Sequence, residues 1–125
     1  MIKAMAAFRI LVGDVERALG FYRDLLGFEV IEQWGPAIAI LSKDGVRVWL
    51  SGPMTSAAQP MPDGTKPVPG GWNRIVVDTA DLDAEVERLK AAGCRFRNDV
   101  VTGPGGKQIL IEDGEGNVVE LFEGR

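Results

Sequence analysis

Residues 14–28 read DVERALGFYRDLLGF and carry the clearest helical pattern in the chain. Apolar side chains recur every three or four residues, at Val15, Leu19, Tyr22 and Leu26. This spacing is typical of one buried helix face. Asp14 stands just before it, where a side-chain oxygen can cap free backbone N–H groups, and Gly27 follows where a C-terminal cap is expected. The pattern predicts an amphipathic helix that begins after Asp14.

The same pattern returns 67 residues later, where Asp81 takes the place of Asp14. Its apolar stripe is Leu82, Val86 and Leu89, and Gly93 follows it. A short β-rich segment precedes each helix, and three more follow it between glycine-containing turns. These segments are residues 7–12, 28–33, 37–42 and 46–51 in the first half, and 74–79, 95–99, 107–112 and 117–122 in the second. Asp44-Gly45 and Glu115-Gly116 mark matching hairpin turns.

The repeat therefore predicts an α+β fold of two βαβββ modules, whose paired mixed sheets form a cleft. We expect a single domain over residues 1–125, with modules at 1–52 and 72–125. The segment 53–71 is rich in proline and glycine, and we interpret it as a linker. The alternative is a lid, in which Met54 and Met61 close over a ligand.

Composition excludes several classes of function. Fourteen basic residues are scattered among eighteen acidic ones, for a net charge of −4, so we expect no nucleic-acid partner. The apolar N-terminal stretch is too short for a signal peptide or a membrane span. The single cysteine, Cys94, is expected to pack as a buried thiol and fits a reducing compartment, so we predict a cytoplasmic protein without a membrane partner. The absence of histidine excludes Ser-His and Cys-His catalysis.

Two sequence motifs lie within this repeat, one in the first half and one near the end of the second. The first is Asp-x-x-x-Ala-x-x-Phe-Tyr at residues 14–22, with Leu-Gly-Phe at 26–28, and the second is Gly-Asn-x-x-Glu-Leu-Phe at 116–122. Together they resemble the vicinal oxygen chelate superfamily, which includes glyoxalase I, extradiol dioxygenases, some epimerases and the bleomycin- and fosfomycin-resistance proteins. The resemblance covers nearly the whole chain. It is specific for the fold and says little about function.

In the metal-dependent members, the resemblance implies, the ligands come from the first and last strand of each module and are commonly two His and one or two Glu. The repeat places these positions at Ala7, Trp49, Arg74 and Glu120. The first three cannot coordinate a divalent metal, and one carboxylate cannot hold an ion tightly. We therefore expect no metal and no cofactor.

We hypothesise that Arg74 and Glu120 pair in the cleft, with the guanidinium in place of the metal's positive charge. Period-2 alternation adds the neighbours on the same strand faces, among them Met5, Leu11, Asp78 and Val118. We expect Ala7, Trp49, Arg74 and Glu120 to converge on one concave surface, with Trp49 as an aromatic wall for the ligand. The predicted ligand-binding residues are Ala7, Arg9, Arg47, Trp49, Ser51, Trp72, Arg74, Val76, Gln108, Glu120 and Phe122.

Residues 102–107, TGPGGK, are glycine-rich and end in a lysine. A phosphate-binding loop would continue with Ser or Thr and a helix, whereas here a strand follows, so we interpret the segment as a hairpin turn. Gln108 and Arg97 are kept as candidate cleft contacts.

These observations predict a metal-free homodimer that sequesters an aromatic or amphipathic natural product, as the bleomycin-resistance branch does. A negative net charge would also attract a cationic drug. The alternative is a metal-independent isomerase, lyase or cyclase of secondary metabolism, with Glu120 as general base and Arg74 stabilising an enolate. A third interpretation is a divalent-metal lyase or dioxygenase that uses Glu120 with Asp78, Glu112 or waters, and a fourth is a regulatory module without a ligand.

Overall fold

The computed structural model describes residues 6–125 and divides after Pro69 into two compact units. Unit 1 ends at Pro69 and unit 2 spans Gly70–Arg125. Each unit contains one four-stranded mixed sheet with helical structure between its first and second strands. This confirms the predicted α+β class and the duplicated βαβββ plan.

Unit 1 follows the predicted element order. Its elements are β1 (Phe8–Leu11), α1 (Val15–Leu19), a π-helical segment (Gly20–Leu25), β2 (Glu29–Trp34), β3 (Ile38–Lys43) and β4 (Val46–Ser51). The sheet order is β1-β4-β3-β2, in which β1 runs parallel to β4 and the other pairs are antiparallel. After β4 the chain makes a short 3₁₀ turn at Ser56–Ala58.

Unit 2 repeats this arrangement. Its elements are β5 (Val76–Asp78), α2 (Leu82–Ala91), β6 (Val101–Gly103), β7 (Gly106–Glu112) and β8 (Val118–Gly124). The sheet order is β5-β8-β7-β6, with β5 parallel to β8. In both units the last strand of the module therefore lies beside the first.

The predicted caps and the Asp44-Gly45 turn are confirmed, whereas Glu115-Gly116 belongs to a longer connection, residues 113–117. Asp14 Oδ1 accepts a hydrogen bond from the backbone N–H of Arg17 at 3.2 Å, and Asp81 Oδ1 accepts one from Ala84 at 3.1 Å. The β3–β4 hairpin turns at Asp44 and Gly45, whose φ angles of 49° and 84° fit a tight turn with two left-handed residues. The β7–β8 connection is longer, because Asp113 Oδ1 accepts hydrogen bonds from the N–H groups of Glu115 and Asn117.

The first helix differs from the prediction in its winding. Beyond Leu19 the chain continues as a π-helix, and the N–H of Leu26 donates to the carbonyl of Phe21, five residues back, at 3.0 Å. The apolar stripe is nevertheless buried as predicted, since Val15, Leu19, Tyr22 and Leu26 are each at most 6% exposed.

The predicted strand at 95–99 is wrong. Phe96 makes a single bridge to Ile111, and the side-chain oxygen of Asn98 then accepts the N–H of Leu110 at 2.9 Å in place of a backbone carbonyl. That contact interrupts the ladder, and the strand begins only at Val101, which pairs with Gln108. The predicted turn at 102–107 is confirmed as the β6–β7 hairpin.

Alternation along the strands separates two faces in each sheet. Val48 and Leu50 of β4 are fully buried on the side of α1, and Leu121 of β8 is buried on the side of α2. The opposite side of each sheet, turned away from the helix of its own unit, is called the distal face below. No helix in residues 6–125 combines the length and apolar content needed to cross a lipid bilayer.

Candidate functional site

The strand register confirms the repeat at the positions of interest. Arg9 pairs with Trp49 in unit 1, and Val76 pairs with Glu120 in unit 2. Arg9 and Val76 are 67 residues apart, the offset between the two predicted helices. Trp49 and Glu120 are 71 apart, the offset between Asp44-Gly45 and Glu115-Gly116. Trp49 and Glu120 are therefore equivalent positions on the distal faces of the two sheets.

In unit 1 the distal face brings together Arg9, Trp49 and Ser51. The guanidinium carbon of Arg9 lies 4.9 Å from the centroid of the Trp49 ring, which is a cation–π contact. Nη1 of Arg9 also donates to the Ser51 hydroxyl at 3.0 Å, and Ser51 is fully buried. Two contacts therefore fix the Arg9 side chain, and the guanidinium covers one side of the indole expected to receive the ligand.

Arg47 lies on the same face, two residues before Trp49 on β4, and is half-buried. Among residues 6–125 it has no hydrogen-bond or ion-pair partner, and Nε and Nη2 of Arg9 have no acceptor there. Five of the predicted site residues belong to unit 1. Of these, Ala7 is exposed and precedes β1, while Arg9, Arg47, Trp49 and Ser51 share the distal face. Met5, predicted on the same face, lies outside the described residues.

In unit 2 the predicted ion pair between Arg74 and Glu120 is present. Nη2 and Nε of Arg74 lie 2.9 and 3.0 Å from the same carboxylate oxygen, Oε1. The Glu120 side chain is 10% exposed and that of Arg74 27%, so the pair is largely withdrawn from water. Oε2 of Glu120 receives no hydrogen bond from the described part of the chain. The carboxylate is charge-balanced while one of its oxygens stays uncommitted.

The register places Val76, Gln108 and Phe122 on the same distal face. Val76 is directly beside Glu120, and Gln108 is paired with Phe122, two residues further along β8. Val76 is 52% exposed, whereas Gln108 and Phe122 are half-buried. Trp72 precedes β5 and is 70% exposed, and its carbonyl accepts from Nη1 of Arg74 at 3.4 Å. The convergence of residues from both units on one surface stays a prediction.

A second ion pair on this face was missed by the sequence reasoning. Nη2 of Arg97 lies 3.2 Å from Oε1 of Glu112, and Glu112 pairs with Val118 in the β7–β8 ladder. The parity of β7 could have placed Glu112 on the face of Gln108. Its partner could not be found in this way, because Arg97 lies on the segment that does not form the predicted strand.

The residues at the family's ligand positions do not fit a divalent metal. Ala7, Trp49 and Arg74 offer no metal-binding donor, and Glu120 is already bonded to a guanidinium. Within residues 6–125 no three Asp, Glu, Cys or His side chains are grouped closely enough to hold an ion. The interpretation that combines Glu120 with Asp78 and Glu112 therefore lacks its ligand cluster.

Cys94 lies elsewhere in unit 2, at a pocket of about 380 Å³ beside α2. The lining includes Val86, Lys90, Phe96 and Ile109. Burial raises the pKa of the Cys94 thiol, which keeps it protonated and weakens it as a nucleophile. The thiol is half-buried instead of fully buried, and its packing role stays a prediction.

Two mixed sheets, each with a first strand parallel to its last and helical structure in the crossover, define a protein of the duplicated βαβββ class. Residues 4–121 match the family model described as Glyoxalase/Bleomycin resistance protein/Dioxygenase superfamily, and the chain belongs to that superfamily. No curated protein matches the chain.

Three solved structures illustrate the relationship. Lactoylglutathione lyase from Agrobacterium tumefaciens has a TM-score of 0.76 and 21% identity, with 99% of this chain and 96% of that chain covered. A superfamily member from Sphaerobacter thermophilus has a TM-score of 0.73 and 30% identity, with 98% of each chain covered. TnmS3, an antibiotic-binding protein from a Streptomyces species, has a TM-score of 0.73 and 24% identity, with 99% of this chain and 98% of that chain covered. The first and third show the shared fold alone.

Proposed function

We propose that the protein binds a planar or amphipathic organic molecule without a metal and sequesters it. The observation that carries this proposal is the ion pair between Glu120 and Arg74. Glu120 is the one potential ligand left at the four family positions, and its carboxylate is held at 2.9 Å by Arg74. A guanidinium there repels a cation and would have to move away before an ion could approach.

The side chains of the distal faces suit the recognition of an organic molecule. Unit 1 offers an indole and two guanidinium groups, and unit 2 offers the Phe122 ring beside Gln108 and the ion pair. Small-molecule sites combine apolar and aromatic walls with a few polar groups that fix the orientation of the ligand. The structural similarity to TnmS3, an antibiotic-binding protein, supports sequestration of a natural product as the role.

Isothermal titration of the untagged protein against a panel of aromatic antibiotics tests the proposal. We expect at least one compound to bind with equal affinity before and after treatment with EDTA. Elemental analysis should find no stoichiometric divalent metal. A metal whose removal abolishes binding would contradict the proposal, as would the failure of the entire panel to bind.

Trp49 gives this experiment a site-specific variant. Trp49→Ala removes the half-buried indole, and losing an aromatic contact should weaken binding about tenfold. Val68→Ala is the control, since Val68 is a 67% exposed apolar residue outside the strands. Trp49→Phe keeps a ring if the alanine variant fails to fold. Equal affinities for the wild type and both Trp49 variants would remove this face from the site.

The uncommitted Oε2 of Glu120 favours a second candidate, a metal-independent lyase or isomerase. A carboxylate with one free oxygen can accept a proton from a carbon acid, while Arg74 stabilises the resulting enolate. Proton exchange into D₂O, followed by NMR for enolisable members of the panel, tests this candidate. An enzyme should show exchange that Glu120→Gln abolishes and Glu87→Gln, on the exposed side of α2, preserves. A binding protein should show none.

A further inference from the structure

On the distal face of unit 1, Arg9 and Arg47 form no ion pair with any carboxylate of residues 6–125. We infer that this face selects a planar aromatic anion, such as a ring that bears a carboxylate or a sulfonate. The inference rests on the proposed binding function and narrows its ligand class. It also departs from the attraction of cations that the net charge of the whole chain suggests.

Several N–H donors of Arg9 and Arg47 have no acceptor in the described part of the chain. One amino group of Arg9 is used by Ser51, which leaves Nε and Nη2 without an acceptor in the described part of the chain. Arg47 is half-buried and likewise has no acceptor among residues 6–125. A guanidinium presents its N–H groups as a planar fork that matches a carboxylate or sulfonate. Arg9 is exposed, whereas the Arg47 guanidinium is partly withdrawn from water without a partner in the described part of the chain, a cost that an anionic ligand would offset.

Arg9 and Arg47 both lie close to Trp49 on this face. Arg9 pairs with Trp49 across neighbouring strands, and Arg47 is two residues from Trp49 on the same strand face. The backbones at these sites are therefore about 5 and about 7 Å from that of Trp49. The Arg9 guanidinium is stacked on the Trp49 indole at 4.9 Å, and Arg47 is two residues away on the same strand face. A flat aromatic ring can pack against the stacked Trp49 indole and Arg9 guanidinium. Its charged substituent can then receive N–H bonds from both arginines.

Most acidic residues of unit 1 form hydrogen bonds or ion pairs with residues other than Arg9 and Arg47. Asp14 caps α1, Asp24 pairs with Arg23 at 2.8 Å and Glu16 accepts a hydrogen bond from Gln33. The register also places Glu29 and Glu32 on the distal face, but they lie on β2, two strands from β4. That separation is about 10 Å across the sheet, which is comparable to the screening length in physiological salt. Neither forms an ion pair with Arg9 or Arg47 in the described structure.

The negative net charge of the chain is not carried by unit 1. Residues 1–69 contain seven basic and seven acidic residues, so the whole charge of −4 belongs to residues 70–125, with seven basic and eleven acidic residues. On the distal face of unit 2, Arg74 and Arg97 are each bonded to a glutamate. The unpaired guanidinium groups thus distinguish unit 1 as the anion-selective face.

The test compares three naphthalene probes of similar shape: 2-naphthoate, the neutral 2-naphthamide and the cationic 2-naphthylmethylamine. We expect 2-naphthoate to bind about tenfold tighter than 2-naphthamide at low salt, the scale of one charge-assisted contact. The ratio should shrink at high salt. Arg9→Gln and Arg47→Gln should each lower it, and the double variant should bring it close to one. Arg47→Lys should restore part of it, and circular dichroism checks that each variant is folded.

Arg23→Gln provides the matched control, because it removes the same charge from an exposed residue of the π-helical segment. It should leave the ratio unchanged. Equal binding of 2-naphthoate and 2-naphthamide, or preference for the amine, would overturn the inference while the binding function stands. The same holds if no naphthalene binds but an antibiotic from the panel does. Failure of every probe and every antibiotic would reject the proposed function itself.

Discussion

The buried carboxylate of Glu120 depends on Arg74 for the compensation of its charge. The carboxylate is one of three buried polar side chains in the described residues, and the guanidinium supplies the contacts made to its Oε1. Removing one partner of a buried pair leaves a charge without compensation, which costs more than the pair itself contributes. The contact therefore stabilises unit 2 whether or not it also meets a ligand.

We predict that Arg74→Met lowers the free energy of unfolding by about 2 kcal/mol, the scale of a lost charge-assisted hydrogen bond. The double variant Arg74→Met/Glu120→Leu should recover much of this loss, because no charge is then buried alone. Urea denaturation of the two single variants and the double variant measures the coupling.

Arg95→Met is the control for this cycle, since Arg95 is exposed. It should change stability by less than about 0.5 kcal/mol. If Arg74→Met and Arg95→Met denature at the same urea concentration, the ion pair contributes no stability.

The predictability of the site also differs from residue to residue. Glu120 and Arg74 could be paired in advance, because the repeat aligned both with ligand positions of the family and their charges are opposite. The stacking of Arg9 on Trp49 could not, since the sequence gives shared strand faces but not side-chain rotamers. The partner of Glu112 depended on where residues 95–99 would lie.

At the scale of elements, local signals were sufficient wherever a cap or turn fixed the backbone. Asp14 and Asp81 marked the helix starts, and Asp44-Gly45 marked a hairpin. The π-helical winding of Gly20–Leu25 left no such signal, because the apolar stripe stays buried in either form. The strand at 95–99 failed because one side chain, Asn98, took the hydrogen bond that a backbone carbonyl would have taken.

The β7–β8 pairing has a backbone requirement at Gly106. Its φ is 148°, and a Cβ added there would overlap the carbonyl oxygen of Glu123 on the neighbouring strand. We predict that Gly106→Ala lowers the free energy of unfolding by about 2 to 3 kcal/mol, because the ladder must shift. Thermal and urea denaturation measure the loss.

Gly105→Ala is the adjacent control, since a Cβ at Gly105 meets no atom within 4 Å. It should stay within about 0.5 kcal/mol of the wild type. Equal stability of the two alanine variants would show that β8 moves aside without cost.

At the scale of the whole molecule, the repeat is close in backbone plan and divergent in charge. Both units bring a first strand beside a last one, but the paired positions carry Arg9 and Trp49 in one and Val76 and Glu120 in the other. Unit 1 is neutral and unit 2 carries the net negative charge. Among the described residues, the same scaffold thus presents arginines without an ion pair on one distal face and arginines bonded to glutamates on the other.

We predict that the protein self-associates through the exposed edge of β1. Within the described residues β1 is hydrogen-bonded on one side only, by β4, and Phe8 on it is 61% exposed. An edge strand with a large exposed apolar side chain favours contact with a second chain, which would bury both the ring and the unpaired backbone groups. We therefore expect a homodimer by sedimentation velocity at micromolar concentration. Phe8→Glu should shift the population toward monomer, whereas Val68→Glu, at a 67% exposed residue outside the strands, should not. A wild-type protein that sediments as a monomer at every concentration would show that this edge has no partner copy.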